Sequence, residues 1–309
     1  RIVAKTQRRP GAPRDRAERA KAIIGMVHVP ALPGTPAWKG RGGAALGAAL
    51  DRLVSRCVQD AQTLRDAGFD ALIVENMHDA PYVHGEHGPE TVAIMTRVML
   101  TLRRAVGSMP IGVQVLSGGN REAIAICAAA GAHSAGGSGP DFSWLSAGLG
   151  FIRCENFVFG HVADEGILTR AEAGRLLRYR RTIDADGGRG GGGVRVFCDI
   201  QKKHASHAIT GDLSIADIAE GAEFFGADGL IVTGAATGKS TSIEDVREVR
   251  GVTRLPLLVG SGVTERDGAA LLEIADGLIV GSSIKVGGSW RNPVDAQRAR
   301  RLVRAVRGR

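Results

Sequence analysis

Two glutamate–asparagine pairs end apolar runs in this sequence. Glu75-Asn76 follows Asp70-Ala71-Leu72-Ile73-Val74, and Glu155-Asn156 follows Gly150-Phe151-Ile152-Arg153-Cys154. A carboxylate at the buried end of such a run loses hydration, its pKa rises, and it exchanges protons near neutrality. The plainer alternative is that both carboxylates bond Arg153, a lysine or loop amides. Either Asn76 or Asn156 suits a substrate hydroxyl or carbonyl. A third run ends in Asp199-Ile200-Gln201-Lys202-Lys203-His204-Ala205-Ser206-His207. A lysine there can form a Schiff base or stabilise an enolate. Asp199 beside His204 also permits a divalent metal. Successive side chains on extended backbone point opposite ways, so Lys202 and Lys203 cannot both face inward; Lys203 is the candidate. His28 closes the first apolar run and is a further candidate, although a solitary histidine is often a satisfied core residue.

Three further runs stop at small residues. Ala227-Asp228-Gly229-Leu230-Ile231-Val232 recurs letter for letter as Ala275-Asp276-Gly277-Leu278-Ile279-Val280. The first is followed by Thr233-Gly234 and the second by Gly281-Ser282-Ser283, with Gly260-Ser261-Gly262 between them. Glycine lets backbone N–H groups approach an anion, and a following helix start adds positive potential. Gly234, Gly260, Ser261, Gly262, Gly281, Ser282 and Ser283 are therefore candidate phosphate ligands, with Thr233 beside them for substrate. The alternative is that these glycines serve tight turns alone.

Stepping from these residues to the elements that must carry them, short apolar runs bounded by glycine predict strands buried on both faces, as in parallel sheets. Helix-length stretches separate them, which gives βαβ connections. Eight such β/α units can be counted between Ala22 and Val306, and that number predicts a single (β/α)8 TIM barrel, the α/β class. In that fold the Glu-Asn pairs of units 2 and 4 reach the C-terminal rim at the same height, opposite the glycine-rich ends of units 6, 7 and 8. Two stretches break the rhythm, 132–149 and 185–193, and are read as flexible insertions on the αβ side without catalytic duty. Residues 1–21 are basic and broken by proline and glycine, and are expected to form a disordered arm. An organelle transit remnant is one origin for such an arm, weakened here by Asp15 and Glu18.

With 309 residues and 44% hydrophobic content, the chain can build a sizeable core. Its net charge of +8 comes from arginines concentrated in the tails, and aromatics make up only 4%. No basic stripe interleaved with aromatics is present, so nucleic acid is not the expected partner. No run reaches the roughly 18 apolar residues of a membrane span, which leaves only peripheral membrane association. Cys57, Cys127, Cys154 and Cys198 are widely spaced and read as buried reduced thiols, a cytoplasmic pattern. Nothing fixes a subunit number, though barrels of this kind often self-associate.

A family resemblance emerges from Ile24 through Pro36, Val74-Glu75-Asn76 with Asp79-Ala80-Pro81, and Phe157-Val158-Phe159 with Ala163-Asp164-Glu165-Gly166. Asp199 through His207, Thr233 through Gly238, Val259 through Thr264 and Trp290 through Asp295 extend it. In order over residues 22–300, these resemble the BtpA family, also named for SgcQ. The resemblance implies a ribulose-phosphate-binding-like barrel. It also implies two kinds of setting: photosystem I biogenesis at the thylakoid surface in one branch, sugar metabolism in another. A plastid stroma or thylakoid location is thus the alternative to cytoplasm. The resemblance supplies no catalytic set, so the candidates above rest on the residues themselves. They predict a small phosphorylated sugar-like ligand and proton transfer of isomerase or epimerase type. A Schiff-base aldolase at Lys203, and a non-enzymatic photosystem I assembly factor, are the competing expectations.

Overall fold

The computed structural model describes residues 19–40, 43, 45–85, 87–131, 140–146, 148–188, 192–234 and 241–308. Eight parallel strands close into a barrel: β1 (Ala22–His28), β2 (Ala71–Glu75), β3 (Ile111–Gln114), β4 (Phe151–Cys154), β7 (Arg195–Asp199), β9 (Gly229–Val232), β10 (Leu257–Val259) and β11 (Gly277–Val280). Closure comes where β1 pairs with β11, from Ala22 opposite Gly277 to Gly25 opposite Val280. Helices α1 (Ala45–Asp66), α2 (Pro89–Val106), α3 (Asn120–Ala129), α4 (Ala173–Thr182), α5 (Ile215–Phe224), α6 (Ile243–Val252), α7 (Gly268–Ile274) and α8 (Ala296–Arg307) alternate with them. The eight predicted units are all present. None of the described helices is long and apolar enough to cross a membrane, and all four cysteines are buried and unpaired.

Period-two alternation splits each strand into two faces. Outward residues such as Leu72, Val113 and Cys198 pack with the helices in the larger core, while Ala22, Ile24, Ile73, Phe151, Phe197 and Ile279 fill the bore. Glycine is required at two inward positions. A Cβ on Gly112 would come within 2.4 Å of the Phe151 ring, and one on Gly229 within 2.2 Å of Phe197. The two rings meet edge to face at 5.7 Å.

The aspartate in front of three even-numbered units acts as a strand clamp. Asp70 accepts the N–H of Ile23 at 2.7 Å, Asp228 that of Val196 at 2.9 Å, and Asp276 that of Leu257 at 2.9 Å. Each is neutralised by arginine: Arg307 on Asp70, Arg180 on Asp228, and both Arg19 and Arg250 on Asp276. The repeated Ala-Asp-Gly phrase is thus a device of the N-terminal face. Unit 4 has Gly150 in place of the aspartate, and another element occupies that ground. Trp144 and Leu145 enter the bore from below, Trp144 packing 6.3 Å from Phe197 and donating its indole N–H to the Ala20 carbonyl at 3.2 Å.

These contacts correct two expectations. The described end of the 132–149 insertion, 140–146, is a packed floor because its apolar side chains find the strand starts, whereas 132–139 lie outside the described residues. Within the basic arm, Arg19 is buried against Asp276, so the ordered chain begins before the predicted boundary at 21; residues 1–18 lie outside the described residues. The 185–193 insertion is tied at its ends, Val194 N–H to the Ala185 carbonyl at 2.8 Å and Leu149 N–H to that of Gly192 at 3.2 Å.

A second, unpredicted sheet lies on the C-terminal side. β5 (His161–Ala163) pairs antiparallel with both β6 (Gly166–Leu168) and β8 (Ala205–Ser206). It precedes α4, which starts at Ala173, and through β8 it fixes the chain just after Lys202 and Lys203.

Candidate functional site

At the upper ends of the strands the inward positions divide into two arcs. His28, Glu75, Gln114, Arg153 and Asp199, on β1, β2, β3, β4 and β7, are all buried and polar. Thr233, Gly260 and Gly281, just past β9, β10 and β11, are small. A cavity of about 280 Å³ opens between the arcs, lined by His28, Glu75, Arg153 and Lys203 on one side and by Gly260 through Gly262 and Gly281 through Ser283 on the other. Met26, Met77, Trp290 and Arg298 complete its wall.

Burial pushes the Glu75 carboxyl above the usual range, against the pull of the Lys203 and Arg153 charges. Burial, with Lys285 adding to it, holds the His28 imidazole well below its ordinary value, so it is neutral. His28 Nδ1 donates to the Trp290 carbonyl at 2.9 Å. A carbonyl only accepts, so the remaining lone pair is on Nε2, which lies 3.6 Å from Glu75 Oε2. When Glu75 carries a proton, it faces the lone pair of this imidazole, which can orient it. Lys203 is lowered as well, by burial first and by Arg153 second, while Glu75, Asp199 and Glu155 oppose the shift. It makes no hydrogen bond to a described residue. Arg153 grips Asp199 through two parallel bonds, Nε to Oδ1 at 2.9 Å and Nη2 to Oδ2 at 3.0 Å.

On the opposite arc, the N–H groups of Gly262, Ser282 and Ser283 have no acceptor among the described residues. Gly262 needs its left-handed φ of 68° to turn there. The Ser283 hydroxyl donates to the Val263 carbonyl at 2.7 Å, and Arg298 Nε donates to the Ser283 carbonyl at 2.8 Å. Asp295 caps α8 by accepting from the Gln297 and Arg298 amides and so sets Arg298 in place. Backbone amides and a guanidinium lining one pocket are the chemistry that an anion calls for.

The predicted residues do not all converge. Glu155 does not line the cavity: its Oε2 accepts the Gly118 N–H at 2.9 Å and its Oε1 lies 3.5 Å from Lys202 Nζ. Lys202 also bonds Glu165 at 3.1 Å, which turns it away while Lys203 points inward. Asn76 spends its amide on Asp79, on the Leu116 carbonyl and on the Leu116 N–H. Asn156 sits in a left-handed turn with φ 54° and bonds the Arg170 carbonyl at 2.6 Å. His204 is exposed on the loop, and Thr233 donates to the Gln201 carbonyl at 2.9 Å. Asp199 is committed to Arg153 rather than open to a ligand. Gly234 is buried, and residues 235–240 after it lie outside the described residues. Among the described residues no group of three or more His, Cys, Asp or Glu is arranged to hold a metal ion.

Sequence reasoning missed Gln114, Trp290 and Arg298 as site residues, and saw Arg153 only as a partner for the acids. Gln114, buried beside Glu75 in the strand register without lining the cavity, did leave a signal, as a long polar side chain in an apolar strand. Arg298 left none among the many arginines of α8.

Comparison with known proteins agrees with this architecture. A Caenorhabditis elegans mitochondrial protein, F13E9.13, is 37% identical over 288 residues, 92% of each chain. The Photosystem I biogenesis protein BtpA of Synechocystis is 31% identical over 285 residues, 92% of this chain and 87% of its own. Among solved structures, thiamine phosphate pyrophosphorylase from Pyrococcus furiosus superposes with a TM-score of 0.51 at 12% identity, covering 94% of this chain and 98% of the other. Tryptophan synthase from M. tuberculosis gives 0.51 at 16% identity, with 94% and 95% covered. At such identities these two establish the fold alone, the TIM barrel. The BtpA family model matches residues 19–136 and 142–308, and the chain belongs to that family.

Proposed function

We propose that the rim binds a small phosphorylated, sugar-like metabolite and moves a proton on it, as an isomerase or epimerase does. One observation carries this reading: Glu75, raised by burial, and Lys203, lowered by burial, face the same cavity as Gly262, Ser282 and Ser283, whose amides have no acceptor among the described residues. Two groups with values drawn toward each other from opposite ends are suited to exchange protons near neutrality. In this reading phosphate sits against the glycine arc, Lys203 polarises a carbonyl, and Glu75 takes and returns the proton with His28 orienting it. Glu155, Asn76 and Asn156 then hold the loops that shape the mouth. The test is deuterium uptake from D2O into a panel of phosphorylated aldoses and ketoses, read by NMR. Wild-type protein should wash label into at least one of them. If phosphate-stripped crystals soaked with the panel show no anion at Gly262 or Ser282, the reading fails.

A Schiff-base lyase is the second reading, favoured by a buried amine without a partner among the described residues. Borohydride trapping separates it: a stable adduct on Lys203 supports the lyase, and label exchange without an adduct supports the isomerase. The name of the Synechocystis relative raises a third role, assembly of photosystem I. That role predicts that Glu75→Gln leaves assembly activity intact.

A further inference from the structure

The inner end of the cavity has more donor capacity than proton transfer needs. Arg153 uses one edge of its guanidinium on Asp199, and its other terminal nitrogen has no partner among the described residues. Lys203 beside it bonds no described residue. Gln114 stands between Glu75 and Arg153 in the strand register, is almost fully buried, and has an unpartnered Oε1. Buried amides without partners are rare in native proteins and point to a ligand or water contact.

The charges around this end can be counted by their neighbours. Asp199 is neutralised by Arg153, and Glu155 and Glu165 share Lys202. Glu75 is pressed toward its neutral form by burial. What remains facing the cavity is hydrogen-bond donors, Lys203 and the open edge of Arg153, and the far side offers donors as well: the Gly262, Ser282 and Ser283 amides, without an acceptor among the described residues, and Arg298. A ligand carrying phosphate alone would satisfy one pole and leave the other bare.

From these two poles we propose that the ligand carries two anionic groups, phosphate at the glycine arc and a carboxylate on Lys203 and the open edge of Arg153. The substrate class is then a phosphorylated hydroxy or oxo acid rather than a neutral sugar phosphate. The inference rests on the phosphate reading above. It also gives Lys203 a defined response: an incoming carboxylate favours the ammonium, so binding takes up a proton.

The test is calorimetry on phosphate-stripped protein with glycerol 3-phosphate and 3-phosphoglycerate, which share three carbons and a phosphate and differ in the carboxylate. 3-Phosphoglycerate should bind at least about ten-fold tighter, as a charge-assisted contact provides. Its binding heat should vary with the ionisation enthalpy of the buffer, whereas that of glycerol 3-phosphate should not. Lys203→Met should bring 3-phosphoglycerate down to the level of glycerol 3-phosphate and abolish the buffer dependence. Equal affinities in the wild type overturn the second pole and leave the phosphate reading standing. A preference that survives Lys203→Met overturns it too. If neither compound binds, the phosphate reading falls and takes this inference with it. Should the variant melt abnormally, the wild-type ligand pair and its buffer dependence still decide.

Discussion

At the lower end of the barrel, Asp70, Asp228 and Asp276 each accept a strand N–H and an arginine, so their charge is spent on holding neighbouring strands together. At the upper end, Glu75 is buried much as Asp276 is, yet it has neither. Lys203 and Arg153 act on it at a distance, and the His28 imidazole, neutral, lies 3.6 Å from its Oε2. Asp276 and Glu75, both buried, are thus put to different uses. Where hydrogen bonds compensate the lost hydration, a carboxylate stabilises the fold; where they do not, its protonation becomes adjustable. Within the upper end the contrast recurs between Glu155, bonded to Gly118 and Lys202, and Glu75.

The sharpest way to break this comparison is at Asp276. Asp276→Ala strips Arg19, Arg250 and the Leu257 amide of a shared acceptor, and should cost about 3–5 kcal/mol in urea denaturation. Ligand affinity in the fraction that folds should stay unchanged. Glu75→Gln should do the reverse, slowing proton exchange on the substrate by about 100-fold or more, with stability equal to or slightly above the wild type. A destabilised Glu75→Gln protein would put Glu75 among the clamps.

The smallest effect is a pH slope. The folded value of Glu75 lies above its unfolded one, so between the two the native state keeps a proton that the unfolded chain has released. Stability is therefore highest below the unfolded value and falls as pH rises through the folded one. The melting temperature of Glu75→Gln relative to wild type should be flat below about pH 4 and climb above it. A constant offset across the range would show that Glu75 keeps its ordinary value.

The sequence carried the barrel because most strands end at glycine or an acid and helix-length stretches separate them. It also carried the two arcs, since the even units can be aligned by eye. It could not tell Glu75 from Glu155, because the difference lies in partners from elsewhere: the Gly118 amide, and Lys202 turned by a sheet whose strands are two or three residues long. Periodicity has no purchase on strands so short. Nor could it show that Trp144 belongs to the bore, a contact with Ala20 set by closure of the whole ring.

That tryptophan has a bearing on the far end of the molecule. With Trp144 and Leu145 stoppering the bottom, solvent cannot rise through the bore beneath an occupant of the rim. How dry Glu75 and Lys203 become is then decided from one side, by how well the occupant itself seals the mouth. A well-fitting molecule strengthens every charge that meets it, and a poor fit lets water back in to weaken them.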